Sequence, residues 1–139
     1  MLGAKQYKPR GGNTYCNLAV SKILEGVCGE TPFYDEKKGR VMLANEMIES
    51  MAGRPTMFVL LKDGMDAFDN AKEGYVVLAC LTGTGHGHIA ALYPSEEMEF
   101  SASWDKAVPM LANVGKENAV MRASKCFKEE PKYYCILPF

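Results

Sequence analysis

The sequence has no long apolar run. Crossing a bilayer as a helix takes about 18 consecutive apolar residues, and the longest stretches here, Met57 to Leu61 and Tyr75 to Leu81, have the size of a strand or a core segment. It has no surplus of charge of one sign either, since 16 basic and 17 acidic residues leave a net charge of −1. A nucleic-acid binder needs excess Lys and Arg to neutralise phosphates, and a membrane-surface protein needs a basic cluster. The expectation is therefore no nucleic acid and no membrane insertion. Cys-x-x-Cys is absent, and the five cysteines, Cys16, Cys28, Cys80, Cys126 and Cys135, form no Cys/His cluster of zinc spacing. Their odd number leaves at least one thiol outside any internal disulfide. Cys126 and Cys135 flank a short turn-like segment and could pair. Histidine is scarce. His86 and His88 stand without Asp, Glu or Cys partners nearby, a poor ligand set, so no metal is expected.

Repeats, low-complexity tracts and linkers rich in Pro, Gly or Ser are also missing. The chain reads as one domain over residues 13–139, preceded by an irregular lead-in over 1–12 that is punctuated by Pro9, Gly11 and Gly12. Met1 to Gln6 carries no signal-peptide hydrophobic region, which fits a cytoplasmic protein, one whose leader has been removed, or export by another route such as lysis.

What is present is a globular composition, 47% hydrophobic and 24% charged, with the apolar residues in recognisable periods. Asn13 and Thr14 are good N-cap types and introduce a helix from about Tyr15 to Val27, with Cys16, Val20, Ile23, Leu24 and Val27 on one face and Gly29 as its stop. A second helix fits Val41 to Ala52, where Leu43, Ala44, Met47, Ile48 and Met51 repeat the period. A weaker one fits Met65 to Ala71. From Gly74 the pattern changes to strands: Tyr75 to Leu81, His88 to Tyr93, Val108 to Val114, Asn118 to Ala123 and Tyr133 to Leu137. Helices first and short strands later predict an α+β fold, with N-terminal helices packed on one face of an antiparallel sheet.

Among chemistry-bearing residues Cys16 comes first. At the start of a helix, unpaired backbone amides and the positive end of the dipole favour an anion, and the thiolate is the reactive form of cysteine. The plain alternative is a small core residue, since free cysteines are often buried. His88 opens a strand, where the sheet fixes a side chain that shuttles protons near neutral pH. His86 lies in the Gly-flanked turn before it, on the solvent or substrate side. A Cys–His pair needs a third group to orient the imidazole, and Asn113 follows in suitable order, with Glu97, Glu99 and Asn118 as competitors. Oxyanion donors would be the Cys16 backbone amide and the Asn13 side chain.

Three stretches resemble the papain-like cysteine peptidases and amidases of bacterial and phage cell-wall enzymes, the CHAP and NlpC-type group. Thr14-Tyr15-Cys16-Asn17-Leu18-Ala19 looks like that group's nucleophile at a helix start. Gly74-Tyr75-Val76-Val77-Leu78 and Gly87-His88-Ile89-Ala90-Ala91-Leu92 look like its strand pair, and Ala112-Asn113-Val114-Gly115 falls where it has a third, polar residue. Tyr75 stands where the group often has Asp. The resemblance implies a minimal papain-like fold with Cys16 as nucleophile, His88 as general base and Asn113 as orienting residue. Asn13, Tyr15 and His86 would lie on the oxyanion and substrate side. It further implies hydrolysis of amide bonds, most often in peptidoglycan stem peptides or at the muramoyl–alanine junction, by a secreted, periplasmic or phage-delivered enzyme that requires no metal or organic cofactor. Two other expectations share these residues. One is a catalytically silent module gripping a peptide or glycan, with Tyr15, Phe33, Tyr34, Tyr93 and Trp104 lining a groove. The other is an effector or toxin acting on a protein substrate.

Overall fold

The first helix forms where its apolar period places it. In the computed structural model, which describes residues 16–29, 31–84, 86–113 and 119–137, α1 spans Cys16–Cys28. Cys16, Val20 and Leu24 are buried on one side, with Ile23 packed against them. Gly29 ends the helix at φ +85, a conformation that costs glycine little, and its N–H bonds the Glu25 carbonyl at 3.0 Å. Asn13 and Tyr15 lie outside the described residues.

The second helix begins later than its apolar period suggests. Tyr34–Asp35 (β1) and Arg40–Val41 (β2) pair as a small hairpin, so Val41 belongs to a strand, and α2 covers Ala44–Ala52. The cause is the Glu46 carboxylate, which accepts the Leu43 N–H at 2.8 Å, Arg40 at 2.8 Å and Lys38 at 2.6 Å. This is half of a capping box. It satisfies a helix-start amide from within the first turn while tying β2 outside the helix. Met47 and Met51 then fill the core with no exposure.

Strand β3 (Phe58–Leu60) follows, then α3 (Gly64–Lys72), whose start is fixed by the Asp63 carboxylate accepting the Asp66 N–H at 3.0 Å. Strands β4 (Val76–Leu81) and β5 (His88–Leu92) form the centre of the sheet. The strand expected over Val108 to Val114 is divided at Pro109, which has no N–H for a ladder. Its front part, β7 (Lys106–Val108), pairs with β6 (Glu99–Ser101) in a separate hairpin, and β8 (Met110–Asn113) joins the main sheet. Strand β9 (Ala119–Arg122) ends one residue early because Ala123 opens the short α4 (Ala123–Cys126), its N–H bonded to the Pro109 carbonyl at 2.9 Å. Strand β10 (Lys132–Ile136) closes the set. Val114, Gly115 and Asn118 lie outside the described residues.

The main sheet has six strands in the order β3-β10-β4-β5-β8-β9, all neighbours antiparallel. The fold is α+β, and α1 and α2 pack on the sheet. They cover one face, burying Leu78, Cys80, Ile89, Ala91, Tyr134 and Ile136. The alternate residues of the same strands, Val77, Ala79, Ala90 and Tyr133, face a second core with α3 and α4. Helices therefore lie on both faces, a correction to the one-sided packing expected. The reason is visible in β4, where Val77 to Cys80 are buried without interruption, as a strand covered on both sides requires. Cys126 and Cys135 are free thiols; the latter sits mid-sheet between Val59 and Val77.

Candidate active site

The start of α1 and the start of β5 meet. Cys16 is the first residue of α1, so its N–H is one of the four that an α-helix leaves without an internal partner. No acidic residue stands in that first turn to compete for the positive end of the dipole. The Cys16 thiol hydrogen-bonds the His88 side chain, and its sulfur also accepts the backbone N–H groups of Ile89 and Asn17. Burial pushes the thiol's pKa up. The His88 hydrogen bond and charge, with the two amides, outweigh that effect and hold it below the ordinary thiol value. Cys16 itself is 4% exposed.

The sheet explains how Ile89 comes to serve the sulfur. Strand β5 pairs with β4 from His88 to Ala91, Leu81 opposite His88 and Cys80 opposite Ile89, and among the described residues it pairs with β8 at Ala91 and Leu92. The Tyr93 N–H bonds the Met110 carbonyl at 2.9 Å, so by the two-residue alternation of a strand the Ile89 N–H points to the same flank, where it meets the Cys16 sulfur. His88 is half-buried. Its imidazole packs on the Phe127 ring, with centroids 5.0 Å apart and planes tilted by 51°, so the layer carrying α4 restrains the ring that the layer carrying α1 engages.

Two further contacts hold the same place. The Asn17 side chain donates to the Met42 carbonyl at 3.0 Å, fixing the first turn of α1 to the segment before α2. Asn45, in the first turn of α2, clasps the turn between β4 and β5. Its amide nitrogen donates to the Gly83 carbonyl at 2.9 Å and its oxygen accepts the Gly83 N–H at 3.2 Å.

Of the residues singled out from the sequence, the structure brings Cys16 and His88 together. His86 is exposed in the turn that leads into His88. Asn113 ends β8, and continuing the register of Ala91 with Ala112 by one residue sets its backbone opposite Ala90, two positions from His88; its side chain is outside the described part. Glu97 and Glu99 are exposed, Glu99 in the separate β6–β7 hairpin. Of the aromatics expected to line a groove, Phe33 is fully buried and stacks on Phe58, Trp104 packs against the second core, Tyr34 and Tyr93 are exposed, and Tyr15 lies outside the described residues. Sequence reasoning missed Asn45, Phe127 and the Ile89 amide. Only the first had a usable signal, an Asn in a helical first turn with no apolar neighbour role.

Among the described residues no group of three or more His, Cys, Asp and Glu side chains gathers as a metal site. None of the described helices is long and apolar enough to cross a membrane. No family model matches the chain, and no curated protein matches it.

Proposed function

We propose that this protein is a cysteine-dependent amide hydrolase working by acyl transfer. The observation that carries the reading is the hydrogen bond between the Cys16 thiol at a helix start and the His88 imidazole, with two backbone amides on the same sulfur. That constellation stabilises a thiolate and keeps a proton acceptor beside it, the two requirements of a cysteine nucleophile.

His88 takes the Cys16 proton, and the sulfur attacks the amide carbonyl carbon to give a tetrahedral oxyanion. The Cys16 N–H, free of any partner inside the helix, is one donor for that oxyanion, and the Asn13 side chain is assigned as the second. His88 then protonates the departing amine as the C–N bond breaks, leaving a thioester on Cys16. Water, deprotonated by His88, attacks the thioester, releasing the carboxylic acid and restoring the thiol. Asn113 is assigned to orient the imidazole, and His86 and Tyr15 to the substrate side. The sequence resemblance favours peptidoglycan stem peptides as the substrate class.

The test is digestion of purified peptidoglycan with mass spectrometry of the released fragments. Cys16→Ala and His88→Ala should each abolish release while the circular dichroism spectrum stays that of the wild type. New amino termini identify an endopeptidase, and intact stem peptides freed from glycan identify an amidase. Wild-type activity in either variant overturns the assignment.

One observation favours a second reading, a catalytically silent module that grips a peptide or glycan: the low exposure of Cys16. Iodoacetamide separates the two. A nucleophile labels far faster than the other thiols, whereas a structural Cys16 labels as slowly as they do.

A further inference from the structure

The turn between β4 and β5 is built around one side chain from another element. Asn45 uses both ends of its amide on the backbone of Gly83, at 2.9 and 3.2 Å. The far end of the turn is equally close. A Cβ placed on Gly87 would fall 2.2 Å from the Asn45 amide oxygen, and one placed on Gly83 would fall 2.1 Å from the His86 carbonyl oxygen. Gly83 is thus required by close approach of backbone, whereas at Gly87 the nearest atom is a side-chain end that can shift, with the Leu81 carbonyl oxygen next at 3.2 Å. Gly83 lets the turn fold back on itself, and Gly87 lets the Asn45 amide sit against the backbone immediately before His88.

We propose that Asn45 is a positioning residue that holds His88 against Cys16 by bonding Gly83 at one end of the β4–β5 turn and packing against Gly87 at the other. The bonds of the Asn45 side chain go to the Gly83 backbone. The residue acts through the backbone: with Gly83 bonded and Gly87 packed against the Asn45 amide, the turn delivers the first residue of β5 to the thiol. The helix start that carries Asn45 is itself anchored, since Glu46 ties it to Leu43, Arg40 and Lys38. The segment before it holds α1 through the bond from Asn17 to Met42. The start of α2 therefore reaches both partners, Cys16 through Met42 and Asn17, and His88 through Asn45 and the turn.

This inference rests on Cys16 and His88 acting as a pair, and its readout needs no substrate. The measurement is the pH profile of Cys16 alkylation by iodoacetamide, followed by mass spectrometry, for wild type, Asn45→Ala, Asn45→Asp, Gly87→Ala and the double variant, each with a thermal melt. Asn45→Ala should slow labelling at neutral pH about tenfold and displace the profile toward alkaline pH, as a thiol less well coupled to its base requires. Asn45→Asp keeps the acceptor for the Gly83 N–H and should fall between the two. Gly87→Ala pushes the Asn45 amide aside and should reproduce most of the Asn45→Ala profile, yet add little when residue 45 is already alanine, where the Leu81 carbonyl oxygen at 3.2 Å is the one close neighbour left to the new Cβ; this non-additivity is a result that general destabilisation would not give. As a control, Asn70→Ala removes a bond from that side chain to the Asp66 carbonyl within α3 and should lower the melting temperature without moving the profile. Wild-type profiles in folded Asn45→Ala and Gly87→Ala overturn the proposal. A shifted profile in a protein that releases nothing from peptidoglycan overturns the hydrolase reading and upholds the role of Asn45.

Discussion

A thiol's nucleophilicity depends on how readily it ionises, and the four cysteines with described side chains differ sharply in that respect. Burial pushes Cys80 and Cys126 each up to about 12, and it also raises Cys135. Cys16 is buried too, but His88 and two amides reverse the direction. Iodoacetamide at neutral pH should therefore modify Cys16 first among these four, with an inflection below the ordinary thiol value, and His88→Ala should move that inflection upward by removing the group that opposes burial. Equal labelling of Cys16 and Cys135 would contradict this account. Replacing Asn113 by Ala should reduce hydrolysis less than loss of Cys16 or His88, because an orienting group acts through the imidazole; an unchanged rate assigns the third role to another residue.

At the scale of an element, α2 shows how one carboxylate sets where a helix begins. The hydrogen bonds from Arg40 and Lys38, with the Leu43 amide, pull the Glu46 carboxyl down to about 2. A group whose folded-state pKa is depressed stabilises the fold above its unfolded value, roughly 4.3 for a glutamate, and that contribution is lost as pH falls through the folded value. Glu46→Gln should thus lower the neutral-pH melting temperature and make the melt less dependent on pH between about 4.3 and about 2. A variant whose melting temperature matches the wild type at neutral pH but falls as steeply in acid would show that other carboxylates govern this range. Since Asn45 shares that first turn, some loss of Cys16 labelling is expected as well.

At the scale of the whole molecule, the sheet carries two cores and the site lies where they meet. Cys16 belongs to the core with α1 and α2, whereas Phe127, which packs on His88, belongs to the core with α3 and α4. Leu24 is fully buried in the first of these, two turns along α1 from Cys16. Leu24→Ala should cost about 2–5 kcal/mol of stability, as deletion of a buried leucine leaves a cavity, measured as a lower urea midpoint. The denaturant slope should be unchanged. A loss below about 1 kcal/mol would indicate that α1 repacks around the missing side chain, since such collapse is what removes the cavity term.

The periods of the sequence determined α1, α3 and the central strands to within a residue or two, because an apolar face of period 3.6 or 2 has few alternatives once it must be buried. They also placed Cys16 at a helix start and His88 at a strand start. The start of α2, the break at Pro109, α4 and the small hairpins were not legible, because each is decided by a contact remote in sequence or by a partner strand. Sequence order could say that a cysteine precedes a histidine, but it could not say that they touch. That was decided by the Ile89 amide on the sulfur and the Phe127 ring behind the imidazole, features drawn from different elements and absent from any local pattern. Local patterns specify which residues are able to do chemistry; only the packing of distant segments fixes the separation and direction on which a proton transfer depends.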